Sequence, residues 1–202
     1  MPTGGGPVFI GIAGGSASGK TTLALELARV LAPLRVRVLN MDHFYRRGRG
    51  VPRYHSSLDG RRHPHWNHPG AMRWGRLEQA CRAARDADVL ILEGLFALYR
   101  ASLVRRMDLA IFVDCPTRER WRRRMARGEK GWDAARLRLY LGECVEAGFR
   151  GFVRPTRRRA RHFASGNSHG LVRRRRAVSE LARRIRGLNR GPMRSGARVG
   201  AI

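Results

Sequence analysis

Lysine is almost missing from this chain of 202 residues: of its 42 basic residues, all but Lys20 and Lys130 are arginine. Acidic residues are also scarce, 15 in all, which leaves a formal net charge of +27. A field of that size attracts nucleotides, nucleic acids and acidic surfaces alike, so its sign selects none of them. The accompanying richness in alanine and glycine fits a skewed codon composition, which raises arginine without any selection for nucleic acid. Against this background Lys20 stands out, as a compact ammonium kept where the wide planar fork of arginine would not fit. Cysteine is limited to Cys81, Cys115 and Cys144, too scattered for a disulfide framework or a zinc cluster and suited to packing in a reducing compartment. Long apolar runs are missing too. The longest, Val89 to Leu98 (VLILEGLFAL), is broken by Glu93 and falls well short of the roughly 20 residues that span a bilayer. No membrane segment is expected. The opening MPTGGGPVFIGIAGG has no basic stretch before its apolar run, which argues against a secretory leader and for a cytoplasmic protein.

A hydrophobic content of 43% over this length suits one α/β domain rather than two. Val8 to Ala13 is an apolar run ending in glycines, and Leu23, Leu27 and Leu31 follow at helical spacing ahead of Pro33, which gives strand, glycine loop, helix. Val36 to Met41 reads as a second strand. The polar stretch from His43 to Gly70 shows no periodicity and reads as a long loop over an active site. A helix over 71–84 and strands at Val89–Glu93 and Leu109–Asp114 come next. From Thr117 the chain is helical and basic (RERWRRRMARGEKG), with a second helical pattern from Asp133 to Ala147. Beyond Arg154, PTRRRARHFASGNSHG reads as loop, and Leu171 to Leu188 as a last amphipathic helix. The alternation predicts an α/β fold of the P-loop NTPase class: a doubly wound, five-stranded parallel sheet with helices on both faces and an arginine-rich lid at 117–131. The domain is expected to cover 1–188, with an acceptor loop at 42–70 and a disordered basic tail over 189–202.

Gly14 to Thr21 (GGSASGKT) fits G-x-x-x-x-G-K-[ST] and lies where that pattern has meaning, after an apolar strand and at the opening of a helix. The expected ATP-binding residues are Gly14, Gly15, Ser16, Ala17, Ser18, Gly19, Lys20, Thr21 and Thr22. In such a loop backbone N–H groups curl around phosphate oxygens, the lysine reaches the outer phosphates, and the threonine hydroxyl ligates Mg²⁺. An acidic residue ending a neighbouring strand completes the magnesium shell, and both Glu93 and Asp114 end apolar strands. Glu93 is favoured, because Gly94 lets the backbone turn beside the phosphates; Asp114 precedes Cys115, Pro116 and Thr117, which read as a strand exit into a helix. Asp42 closes the second strand on the same sheet edge. A carboxylate there can take the proton of an attacking hydroxyl, belong to the outer magnesium shell, or simply end the strand.

Taken together, GIAGGSASGKTT, MDHFY, WNHPGAM, VLILEG and FVDCPTRERWRRRMARG resemble the uridine kinase family, whose relatives include phosphoribulokinase and nicotinamide riboside kinase; the likeness runs over about residues 8–155. The resemblance implies an ATP- and Mg²⁺-dependent phosphotransferase acting on a hydroxyl of a small molecule, a nucleoside 5′-hydroxyl above all. Residue by residue it implies Asp42 as general base, Tyr45 shaping the acceptor site and Glu93 in the magnesium shell. Its lid pattern R-x-x-R-R-x-x-R matches Arg120, Arg123, Arg124 and Arg127, with Arg124 and Arg127 expected on the transferring phosphate and the lid ordered by nucleotide. The sequence departs from the family at three places. The aspartate of F-D-H-P, which contacts the sugar hydroxyls, is an amide in Trp66, Asn67, His68 and Pro69, three of which (Trp66, Asn67 and His68) remain the expected acceptor contacts. The family's β-hairpin with its tyrosine and histidine base contacts has no room ahead of Val89. RRRARHFAS stands where an aspartate-containing stretch is expected. Another riboside or a secondary-metabolite hydroxyl is the alternative acceptor.

His63, His65 and His68 invite a zinc reading, but prolines interrupt them and no cysteine is near in sequence, so a substrate-covering loop is preferred. Trp66 and Tyr45 suit the apolar walls of a pocket for a ring-containing substrate. The runs Arg157–Arg159 and Arg173–Arg176 support a different class of function, a nucleic-acid-binding P-loop ATPase. Phe163 is nearly the sole aromatic among them, which leaves base stacking with little support; binding that survives physiological salt would favour this class. Association into homo-oligomers is left open by the sequence.

Overall fold

The computed structural model describes residues 6–167 and 171–189. In chain order the elements are β1 (Val8–Gly14), α1 (Lys20–Val30), β2 (Val36–Asn40), β3 (Arg53–His55), β4 (Arg62–Pro64), α2 (Trp74–Ala83), β5 (Val89–Glu93), α3 (Ala101–Val104), β6 (Leu109–Asp114), α4 (Thr117–Arg127), α5 (Ala134–Tyr140), β7 (His162–Ser165) and α6 (Leu171–Leu188). Five strands pair in the order β2-β5-β1-β6-β7, every neighbouring pair parallel.

Period-two alternation divides the core into two layers. Ile10 and Ile12 of β1 face Leu23 and Leu27 of α1, Leu31 just beyond it, and Leu181 and Ile185 of α6. Phe9 and Ala13 face the opposite way, with Leu90, Leu92 and Phe112, against Leu77 and Cys81 of α2. Strands buried on both faces read as continuous apolar runs, which is why β1, β5 and β6 are plain in the sequence. Strand order reverses at β1, and in open α/β sheets ligands sit beyond the carboxyl ends of the strands at that point. Those ends carry the glycine loop after β1 and Glu93 at the end of β5.

Two stretches differ from their reading as loop. The fifth strand, β7, lies within residues 155–170; it is an edge strand in which only Ala164 is buried, so it shows no apolar run. Within 43–70, β3 and β4 form an antiparallel hairpin pairing Arg53 with Pro64 and His55 with Arg62; three-residue polar strands are too short to display a period. The helical pattern from Asp133 starts as α5 and continues in wider π-helical turns over Leu141–Glu146 and Phe149–Val153. Leu137, Leu141 and Val145 there form a small separate core with Trp121 and Met125 of α4. Only residues 84–88 separate α2 from β5, too few for a hairpin. The tail expected beyond Asn189 lies outside the described residues, and among those residues no helix is long and apolar enough to cross a membrane.

Candidate active site

The chain leaves β1 through Gly14 at φ 153°, where a Cβ would stand 2.7 Å from the Val113 carbonyl oxygen; only glycine meets both demands. The loop then tightens as Ser18 N–H donates to the Gly15 carbonyl at 3.1 Å. Lys20 is buried, and its ammonium folds back to donate to the same carbonyl at 2.9 Å. Thr21 Oγ1 donates to Glu93 Oε1 at 2.9 Å. The hydroxyl and the carboxylate expected to serve Mg²⁺ are thus in contact, and such hard oxygen donors fit a divalent cation that keeps most of its own water. Burial lowers the pKa of Lys20 and raises that of Glu93, while their mutual attraction opposes both shifts.

Asp42 sits in a 3₁₀ turn after β2, fixed by Asn40, whose side chain accepts its backbone N–H at 2.8 Å. Its carboxylate faces a cavity of about 530 Å³, shared with the glycine loop, Lys20, Glu93, Arg123 and Arg127. The charge of Asp42 acts on both Lys20 and Glu93. Asp114, the alternative to Glu93, is instead paired with Arg157 at 2.8 Å on the surface.

Of the four lid arginines, Arg123 and Arg127, one helical turn apart, line this cavity. Arg123 donates to the carbonyls of Ala17 at 3.2 Å and Gly166 at 2.6 Å, tying α4 to the glycine loop and to the exit of β7. Arg124 turns the other way and pairs with Glu129 at 2.9 Å. Arg120 is buried in an ion pair with Glu146. The pattern R-x-x-R-R-x-x-R does not separate Arg123 from Arg124; only the phase of the helix against its neighbours does.

A second cavity, of about 240 Å³, opens between the β3–β4 hairpin and the start of α5, with Tyr54, Trp66, Trp132 and Tyr140 as its aromatic lining. Tyr45, three residues after Asp42, meets Trp66 of this lining edge-on at 5.7 Å, and burial first, then the charge of Asp42, pushes its pKa up. The connection from α4 to α5 borders both cavities, Arg127 facing the first and Glu129 and Lys130 the second. Tyr54, Trp132 and Tyr140 carry no motif; their spacing in sequence says nothing of their meeting.

Among the expected acceptor contacts, Trp66 lines the second cavity. Asn67 is buried, its amide donating to the Tyr140 hydroxyl at 3.5 Å and the Cys144 sulfur at 3.8 Å. The His68 ring accepts the Gly70 N–H at 3.0 Å and packs edge-on against Phe152 at 4.6 Å. His63 meets Asp59 at 2.9 Å, and His65 meets Cys144 at 3.3 Å. The three histidines thus have separate partners, and among the described residues no group of three or more His, Cys, Asp or Glu is placed to hold a metal.

Residues 10–138 match the AAA domain family. The chain is 33% identical to the uridine kinase of Deinococcus deserti over 181 aligned positions, covering 76% of this chain and 85% of that one. It is 28% identical to uridine-cytidine kinase B of Dictyostelium discoideum, with 76% and 72% covered. In fold it resembles shikimate kinase from Bacteroides thetaiotaomicron, at a TM-score of 0.55 and 17% identity, over 89% of this chain and 98% of that one. Sequence likeness and the P-loop architecture agree, and the chain belongs to the uridine kinase family.

Proposed function

We propose that this protein transfers the γ-phosphate of ATP to a hydroxyl of a small molecule, a nucleoside 5′-hydroxyl first among the candidates. The observation that carries this reading is the convergence of Lys20, Asp42, the Thr21–Glu93 contact, Arg123 and Arg127 on one cavity. Phosphoryl transfer asks a protein mainly for positioning and for charge where charge develops. The glycine loop and Lys20 hold the outer phosphates from one side, and Arg123 and Arg127 approach from the other. Asp42, anchored by Asn40, accepts the proton that the acceptor hydroxyl loses as its oxygen attacks phosphorus. Mg²⁺, held through Thr21 and Glu93, neutralises phosphate charge when bound. The same reading sets the enzyme in the cytosol, where ATP is at hand.

ADP release from the purified protein, measured with MgATP across nucleosides, other ribosides and cyclic alcohols, tests this. Stimulation by an acceptor, lost in Lys20→Ala and cut far more in kcat than in ATP affinity by Asp42→Asn, is the expected result. ATP hydrolysis stimulated by RNA or DNA and by none of the alcohols would reject it in favour of a nucleic-acid-dependent ATPase.

A further inference from the structure

The two lysines of this arginine-dominated chain take corresponding places: Lys20 lines the phosphate cavity and Lys130 lines the aromatic one beside it. The charges around the aromatic cavity are unequally engaged. Its carboxylates already have partners, Asp59 with His63 at 2.9 Å and Glu129 with Arg124 at 2.9 Å. Its cations, Lys130 and Arg136, have no ion-pair partner among the described residues. Arg136 is held with its guanidinium over the Trp132 ring, 4.5 Å from the centroid, a stacking that fixes its plane and leaves its N–H edge to meet a ligand. The walls, Tyr54 and Trp66, suit a ring. Asn67, at the position where the family pattern has an acidic residue, spends its amide on Tyr140 and Cys144. Two carboxylates, each already in contact with a basic side chain, and two cations without an ion-pair partner thus line this cavity.

Resting on the kinase reading above, we infer that the acceptor is a ring-bearing alcohol with an anionic oxygen group, carboxylate or phosphate, held by Lys130 and Arg136 while its hydroxyl reaches Asp42. A neutral nucleoside leaves both cations without a counter-charge. An anionic one gains charge-assisted hydrogen bonds, the bidentate kind at Arg136. Such a molecule sets its acid in the cavity lined by Trp66 and passes the edge-on contact of Trp66 with Tyr45 to bring its hydroxyl to Asp42.

The test compares uridine, orotidine (the same nucleoside with a ring carboxylate) and uridine 3′-monophosphate for binding to the full chain, read by calorimetry and by quenching of tryptophan fluorescence. The expected result is that at least one anionic probe binds about tenfold or more tightly than uridine, and which of them does so distinguishes carboxylate from phosphate. The preference should vanish in Lys130→Ala and Arg136→Gln, persist in Lys130→Arg, and shrink with added salt. Lys130 is exposed, so its replacement leaves the fold intact. Equal or undetectable binding of all three probes, or a preference unchanged in the variants, overturns the inference. Parallel ADP-release assays keep the two readings apart. Turnover of uridine without anion preference defeats the inference alone, whereas anion-dependent binding with no turnover of any probe defeats the transferase and leaves the anion site standing.

Discussion

Replacing Glu146 with glutamine should unsettle this protein more than almost any change outside the sheet. The side chains of Arg120 and Glu146 are 2% and 8% exposed and meet at 2.8 Å. The guanidinium also lies 4.1 Å from the centroid of Phe149 and donates to the Thr117 hydroxyl at 3.0 Å and the Cys115 carbonyl at 3.3 Å. Its Nη1 is buried without a partner, on the side where a Cβ added to Gly15 would come within 2.8 Å of it. Nothing else is therefore placed to take up the charge once the carboxylate is gone. Breaking one side of a buried pair costs about 3–5 kcal/mol. At ~2–4 °C per kcal/mol for a chain of this size, the melting temperature should fall by ~6–20 °C. Removing both charges, as Arg120→Met with Glu146→Leu, should recover much of that loss, because the desolvation cost goes with the pair. Thermal unfolding followed by circular dichroism without nucleotide reads both variants. A shift within about 2 °C for Glu146→Gln, or a double variant less stable than the single one, refutes the account.

Two further outcomes follow from the site. Burial raises the pKa of Glu93, so its contribution to the stability of the nucleotide-free protein is fully present below the unfolded value and lost as pH rises through the raised one. The melting temperature of the wild type relative to Glu93→Gln should accordingly fall as pH rises above the ordinary carboxylate range, and a constant difference would show that Glu93 titrates as an exposed carboxylate does. Arg123→Gln should lower kcat/KM by ~100-fold or more on the proposed kinase reading, because Arg123 lines the cavity of the glycine loop. Arg124→Gln, which breaks the contact with Glu129, should cost far less, and equal losses in steady-state kinetics would remove the distinction drawn from the helix phase.

Those parts of the fold that depend on local order were legible in the sequence. Gly14 to Thr21 is a contiguous loop whose chemistry is set by its own backbone, and Lys20 and Thr21 come into position with it. Glu93 was legible because it ends an apolar strand, and Asp42 because it follows one closely, in the turn after β2 rather than as the strand's last residue; parallel strands bring such ends to one edge. Strand β7 was not, since an edge strand that buries one residue in four leaves no pattern. The aromatic cavity was hidden for a different reason. Tyr54 comes from a hairpin, Trp66 from a loop, and Trp132 and Tyr140 from the α5 region, and their meeting depends on packing between segments that no local spacing records. The phase of α4, which sets Arg123 and Arg127 rather than Arg124 on the side of the glycine loop, is fixed by Trp121 and Met125 settling against Leu137 and Leu141, again a long-range event.

The β3–β4 hairpin pairs only with itself and shares no ladder with the five-stranded sheet. Its length and composition can therefore drift without shifting the register of any parallel pair. Mutational change at residues 53–64 thereby reshapes the second cavity, which Tyr54 lines, without passing through the ladder that carries the glycine loop.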